Sequence, residues 1–109
     1  MVMNTVYATS EPTRAEVDAL QGATLIEFGA PWCGYCAGAQ PLIAAAFEGH
    51  DSVRHLKIED GKGRPLGRSF GVKLWPTLVL LRGGHEVARL VRPADVQSIR
   101  QALDQLQAG

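Results

Sequence analysis

Apolar residues run almost unbroken through Thr24-Leu25-Ile26-Glu27-Phe28, the pattern of a strand covered on both faces. Val53 to Ile58 alternates instead. Val53, His55 and Lys57 fall on one side and Leu56 and Ile58 on the other, which predicts a second strand. Thr77–Leu81 and Glu86–Val91 flank Arg82-Gly83-Gly84-His85 and predict a hairpin. Asn4 to Ala8 suits a short edge strand, followed by a turn at Ser10-Glu11-Pro12.

Helical spacing governs the rest. Thr13 and Glu16 have capping-box spacing ahead of Val17 and Leu20, with Gly22 as the stop. A longer helix starts near Cys33 and passes through Leu42, Ile43, Ala46 and Phe47 to end by Gly49. Pro41 removes one internal hydrogen bond and should kink that helix without abolishing it. Glu59 to Arg64 is a Gly-rich loop, and Pro65 to Phe70 a short helix or turn ending at Gly71. Ala94 to Leu106 sets Val96, Ile99, Leu103 and Leu106 on one stripe. The order predicts an α/β protein with a mixed sheet and helices on both faces. A length of 109 residues suits a single domain spanning residues 1–109.

Charge adds little to this picture. Eleven basic residues balance eleven acidic ones and are scattered, which argues against a nucleic-acid surface or a charged interaction arm. Met1 to Ser10 lacks a basic start and an apolar run, and no apolar stretch approaches membrane-spanning length. We therefore expect a cytoplasmic chain with no membrane partner, and a monomer. In a reducing compartment a cysteine pair is more often catalytic than structural.

Cys33-Gly34-Tyr35-Cys36 holds both cysteines of the chain, directly after the first apolar strand. Residues three apart on a helix share a face, so the two sulfurs can meet and close a disulfide without unwinding a turn. The first turn of a helix also presents free N–H groups and the positive end of the macrodipole, which favour a thiolate at Cys33. Thiolate is the form that attacks disulfides. Cys36 lies further in, suited to resolving a mixed disulfide. A zinc site is the alternative, but structural zinc takes four Cys or His ligands. Only His50, His55 and His85 remain, none at finger spacing, so no metal is expected. Two inert buried cysteines are the other alternative. His50 and His85 are expected to be solvated loop residues, and His55 a strand residue with a structural hydrogen bond.

Glu27 is an acid within the first apolar strand, six residues before Cys33. Burial there should raise its pKa and suit it to relay a proton to Cys36. The competing reading is a carboxylate at the strand end that reaches solvent.

Phe28, Ala30-Pro31-Trp32-Cys33-Gly34-Tyr35-Cys36, Pro41, Trp75-Pro76-Thr77 and the glycine hairpin at Gly84 together resemble the thioredoxin family, over nearly the whole chain. The resemblance implies a thioredoxin fold, Cys33 as nucleophile, Cys36 as resolving thiol and Pro76 in cis. Trp32, Gly34, Tyr35, Trp75 and Pro76 would then form the substrate-docking surface, with the backbone of Trp75 open to an extended segment. The resemblance also implies a reductase of protein disulfides supplied by thioredoxin reductase, with no cofactor beyond a Cys33–Cys36 disulfide.

Several positions depart from the family pattern. Tyr35 stands where most thioredoxins have proline, as in bacterial periplasmic disulfide isomerases, and Cys-x-Tyr-Cys also resembles glutaredoxins. The direction of electron flow therefore stays open between a reductase and a glutathione-coupled or oxidase/isomerase-type exchanger. A redox-inactive binding module of the same fold is the rival from another class. Glu27 stands where the family usually has the shorter Asp, Gly29 where it has a bulky aromatic, Leu74 and Arg92-Pro93 where glycines are frequent, and His55 near the position of a buried lysine.

Overall fold

In the computed structural model, which describes residues 3–108, the elements run α1 (Arg14–Asp18), β1 (Ala23–Gly29), α2 (Gly34–Phe47), β2 (Arg54–Glu59), α3 (Pro65–Ser69), β3 (Thr77–Arg82), β4 (His85–Val91) and α4 (Val96–Ala108). The four strands lie in the order β2-β1-β3-β4. β1 pairs parallel with β2, while β1–β3 and β3–β4 are antiparallel. The sheet is mixed, as the element order predicts.

Alternation along the strands separates two cores. Leu25, Leu78 and Leu80 meet Ile43 and Phe47 of α2 and Ile99, Leu103 and Leu106 of α4. Ile26, Phe28, Val79 and Leu81 meet Val17, Leu66 and Phe70 on the opposite face. Helices thus cover both faces of β1, which is buried from Thr24 to Gly29. The apolar stripe of α4 is buried at Ile99, Leu103 and Leu106. α2 runs through Pro41 unbroken.

Thr13 and Glu16 form the capping box at α1. Its Oγ1 accepts from the Glu16 N–H at 3.0 Å, and the Thr13 N–H donates to Glu16 Oε1 at 2.8 Å.

Two expectations fail. Asn4–Ala8 is not a strand. It lies along the outer edge of β2, where the Ala8 N–H makes a backbone–backbone bond to Lys57 O at 2.9 Å. The Asn4 N–H donates instead to the His55 ring at 2.7 Å, and its side-chain amide takes the His55 carbonyl. Side-chain partners replace the ladder. His50 is buried, 5% exposed, and not a solvated loop residue. Its ring contacts the Ala46 carbonyl at 2.7 Å and Asp104 Oδ1 at 2.6 Å, tying the end of α2 to α4. His85 is exposed.

The β3–β4 hairpin depends on Gly84. Its φ is +80°, and a Cβ there would stand 1.9 Å from the backbone oxygen of Asp18. Left-handed backbone costs an L-residue roughly 1–2 kcal/mol, and a carbonyl cannot swing away as a side chain does. Gly84→Ala should destabilise the fold by more than about 2 kcal/mol. The check is a lower urea midpoint with an unchanged m-value.

Candidate active site

β1 ends at Gly29, and the chain turns through Ala30-Pro31-Trp32 before α2 begins. Cys33 is the N-cap of α2, with extended backbone (φ −82°, ψ 117°), so its side chain stands at the helix end that carries unpaired N–H groups. Its Sγ accepts from the Cys36 N–H at 3.2 Å. This cap role, usually filled by an oxygen, suits a sulfur carrying negative charge. Cys36 lies one turn on, and the two free cysteines approach to 2.7 Å. Cys33 is 8% exposed and Cys36 2%. Burial pushes the Cys36 thiol up to about 11, with contributions from its hydrogen bond to Cys33 and from negative charge on Cys33 and Glu27, while a backbone bond at Ala30 opposes the rise.

The five residues named for docking surround this pair. Trp32 and Tyr35 are largely exposed. The Trp75 ring meets Trp32 edge-on at 5.2 Å between centroids, and the Trp75–Pro76 bond is cis. Gly34, Tyr35, Leu42, Pro76 and Arg92 line an open groove of about 650 Å³ beside α2. The Trp75 carbonyl accepts from Arg92 Nε at 2.9 Å. The Arg92 guanidinium also lies 3.9 Å over the Tyr35 ring. Arg92 itself has φ +49°, left-handed backbone of the kind glycine favours. Trp75 Nε1 donates to Asp60 Oδ2 at 2.9 Å.

Glu27 is fully buried, and no part of it reaches solvent. Lys57 is its register partner on β2 and His55 lies on the same face two residues away. Lys57 Nζ donates to Oε2 at 2.9 Å, Gln40 Nε2 donates to Oε2 at 2.8 Å, and His55 Nε2 lies 3.0 Å from Oε1. His55 Nδ1 accepts from the Asn4 N–H, which leaves the proton on Nε2 to donate to Glu27. The expected rise in the Glu27 pKa is therefore reversed. Burial pushes it up, but the hydrogen bonds from His55, Lys57 and Gln40 outweigh burial and hold it below the usual carboxylate range.

Lys57 is the lysine that neighbours the acid, although the family pattern places His55 near that position. The alternation of Val53, His55 and Lys57 already put both side chains on the Glu27 face. Gln40 bridges further, donating to Glu27 and to the Cys36 carbonyl at 2.9 Å. Gln40 and Asp60 had no signal in the sequence, since each reaches the site by tertiary contact, whereas Arg92 stood out as a departure from a frequent glycine.

A dithiol at a helix N-terminus, beside a cis-proline loop and above a buried acid, defines a thiol–disulfide exchange domain. The thioredoxin family model matches residues 4–105. The chain belongs to the thioredoxin family and is a thiol–disulfide oxidoreductase. Thioredoxin 2 of Pseudomonas aeruginosa PAO1, solved in its reduced form, is 54% identical, with a TM-score of 0.87 over 97% of this chain and 98% of that one. The thioredoxin of Chlamydia muridarum is 38% identical over 72% of this chain and 76% of its own length. Protein disulfide-isomerase erp38 of Neurospora crassa is 42% identical over 58% of this chain, which corresponds to only 18% of that protein. Thioredoxins need no cofactor beyond the redox-active disulfide.

Removing one partner of a buried ion pair costs about 3–5 kcal/mol. Lys57→Met should cost that much at pH 7. With its pKa held low, Glu27 adds stability above the unfolded carboxylate value of about 4.3, and that stability is lost as pH falls through the folded pKa. Without Lys57 the folded pKa rises, so the deficit should be largest at neutral pH and shrink in acid. Urea unfolding at several pH values measures it.

Proposed function

We propose that this protein reduces disulfides of other proteins, with Cys33 attacking, Cys36 resolving and Glu27 relaying the proton. The observation that carries this reading is Cys33 at the N-cap of α2, with its sulfur at the positive helix end and Cys36 within reach. The Cys33 thiolate attacks one sulfur of a substrate disulfide, forms a mixed disulfide and releases the other sulfur as thiolate. Cys36 then loses its proton to Glu27, which is ionised because its pKa is held low and therefore passes the proton on rather than keeping it, and attacks Cys33 Sγ. The substrate leaves with both sulfurs reduced, and the two electrons it gained leave a Cys33–Cys36 disulfide behind. Thioredoxin reductase, the usual donor for the family, returns the electrons.

Trp32, Gly34, Tyr35, Trp75 and Pro76 form the surface on which the substrate segment docks, an assignment supported by their convergence around Cys33. The protein works as one domain, a monomer of the cytoplasm. No helix among the described residues is long and apolar enough to cross a membrane. A glutathione-coupled or oxidase/isomerase role is the second reading, favoured by Tyr35 in place of proline, which relaxes the first turn of α2.

Cys33→Ser should abolish disulfide reduction, and Cys36→Ser should accumulate mixed disulfides visible by mass spectrometry. Equilibration with a glutathione series then fixes the direction of flow. A potential near the thioredoxin value of about −270 mV, taken from the family, supports the reductase, whereas about −120 to −180 mV supports the second reading. The relay has its own test in Glu27→Gln. The pH dependence of Cys36 alkylation should change, and an unaltered profile would exclude Glu27.

A further inference from the structure

Gly29, the last residue of β1, faces the second cysteine. A Cβ at this position would stand 2.6 Å from Cys36 Sγ and 3.0 Å from Tyr7 Oη. The absent side chain therefore leaves a slot that the sulfur and the phenol share. Tyr7 is carried there by the segment that covers the edge of β2, pinned by Asn4 at His55 and by Ala8 at Lys57 O. Its ring lies against the Lys57 ammonium, 4.7 Å from Nζ to centroid. Three contacts on one side of the sheet thus fix where the hydroxyl goes.

The groups that bear on Cys36 come from every element around it. They are Cys33 at the start of α2 and Glu27 on β1, with Tyr7 on the covering segment and Lys57 on β2 behind both acid and phenol. Burial, followed by the negative charges of Cys36, Glu27 and Cys33, drives the Tyr7 pKa upward, so the phenol keeps its proton. A neutral phenol beside a sulfur is a hydrogen-bond donor, and a bond to an ionised acceptor is roughly twice as strong as one to a neutral group.

We propose that the Tyr7 hydroxyl donates a hydrogen bond to Cys36 Sγ and stabilises the thiolate that resolves the mixed disulfide. This rests on Cys36 as the resolving thiol. Tyr7 exchanges no proton. The Cys36 proton goes to Glu27, the new bond is Cys33–Cys36, the bond broken is Cys33 to substrate sulfur, and the substrate leaves as thiolate.

Stopped-flow reaction of the reduced protein with dithiobis-nitrobenzoate resolves the two steps, since the first nitrothiophenolate reports attack by Cys33 and the second reports resolution by Cys36. Tyr7→Phe keeps the ring on Lys57 and removes only the hydroxyl. The first phase should be unchanged. Loss of a bond to a charged acceptor should raise the pH midpoint of the second phase by about one unit. A tenfold loss of thiolate is partly offset because nucleophilicity rises with pKa, with a Brønsted slope of about 0.4–0.5, leaving the second phase about threefold slower at neutral pH.

An unchanged second phase overturns the proposal. So does equal slowing of both phases with a lower melting temperature, which would make Tyr7 a packing residue. A ring-fluorinated tyrosine placed at position 7 is a stronger donor in the same shape and should move the second-phase profile the opposite way. Its failure to do so overturns the proposal even where Tyr7→Phe folds poorly. Failure of the underlying reading looks different, because Cys33→Ser would then keep the fast first phase and Cys36→Ser would lose it, each releasing one nitrothiophenolate per chain.

Discussion

Glu27 sits at the centre of β1 with no contact to water, and an ionised carboxylate there costs several kcal/mol unless donors surround it. Three donors do, from two elements: Lys57 and His55 from β2, and Gln40 from α2. The His55 ring is in turn held by Asn4. Satisfying one carboxylate therefore sets the register of β1 against β2, the rotation of α2 about its axis and the course of the N-terminal segment. Gln40 carries this constraint to the chemistry, since the same amide nitrogen that bonds Glu27 also bonds the Cys36 carbonyl. A shift of α2 would strand either a buried acid or a buried carbonyl.

Topology brings the other half of the site into place. β1 and β3 are antiparallel, with Phe28 opposite Thr77. The residues that follow β1 therefore lie beside those that precede β3, and the chain leaving the sheet into Cys33 meets the chain entering it through Trp75-Pro76. This is why an apolar cluster of Ala30, Cys33 and Cys36 closes against Trp75, although more than thirty residues separate the two segments. Trp32 stays exposed and stacks its neighbour edge-on, so the apolar surface beside Cys33 remains turned outward.

Much of this was legible because it is written in local pattern. The capping box at Thr13, the hairpin glycine at Gly84, the stripe of α4 and the cysteine spacing each express a short-range rule, and each is found in the structure. Other features depend on what lies across space. Asn4–Ala8 has the composition of a strand, but the acceptor that decides its path belongs to a histidine ring that no neighbouring residue announces. His50 reads as a loop residue until α4 folds back and offers Asp104. Burial of Glu27 was readable, but the direction of its pKa was not, because desolvation is visible in an apolar run while three converging donors are not.

The departures from the family pattern follow the same logic in reverse. Where a position loses volume or freedom, a residue distant in sequence supplies it. Gly29 lacks the usual aromatic, and the Tyr7 ring comes in from the N-terminal segment to stand beside Cys36. Tyr35 replaces a proline, and the Arg92 guanidinium stacks on its ring. Arg92 takes left-handed backbone at a position where glycine is frequent, and its bond to the Trp75 carbonyl helps to offset that cost. Restoring a bulky side chain at Gly29 alone would drive into the Cys36 sulfur and the Tyr7 hydroxyl together. The two sets of departures therefore lie around the sulfurs, Gly29 and Tyr7 beside Cys36 and Tyr35 and Arg92 beside the helix that Cys33 caps.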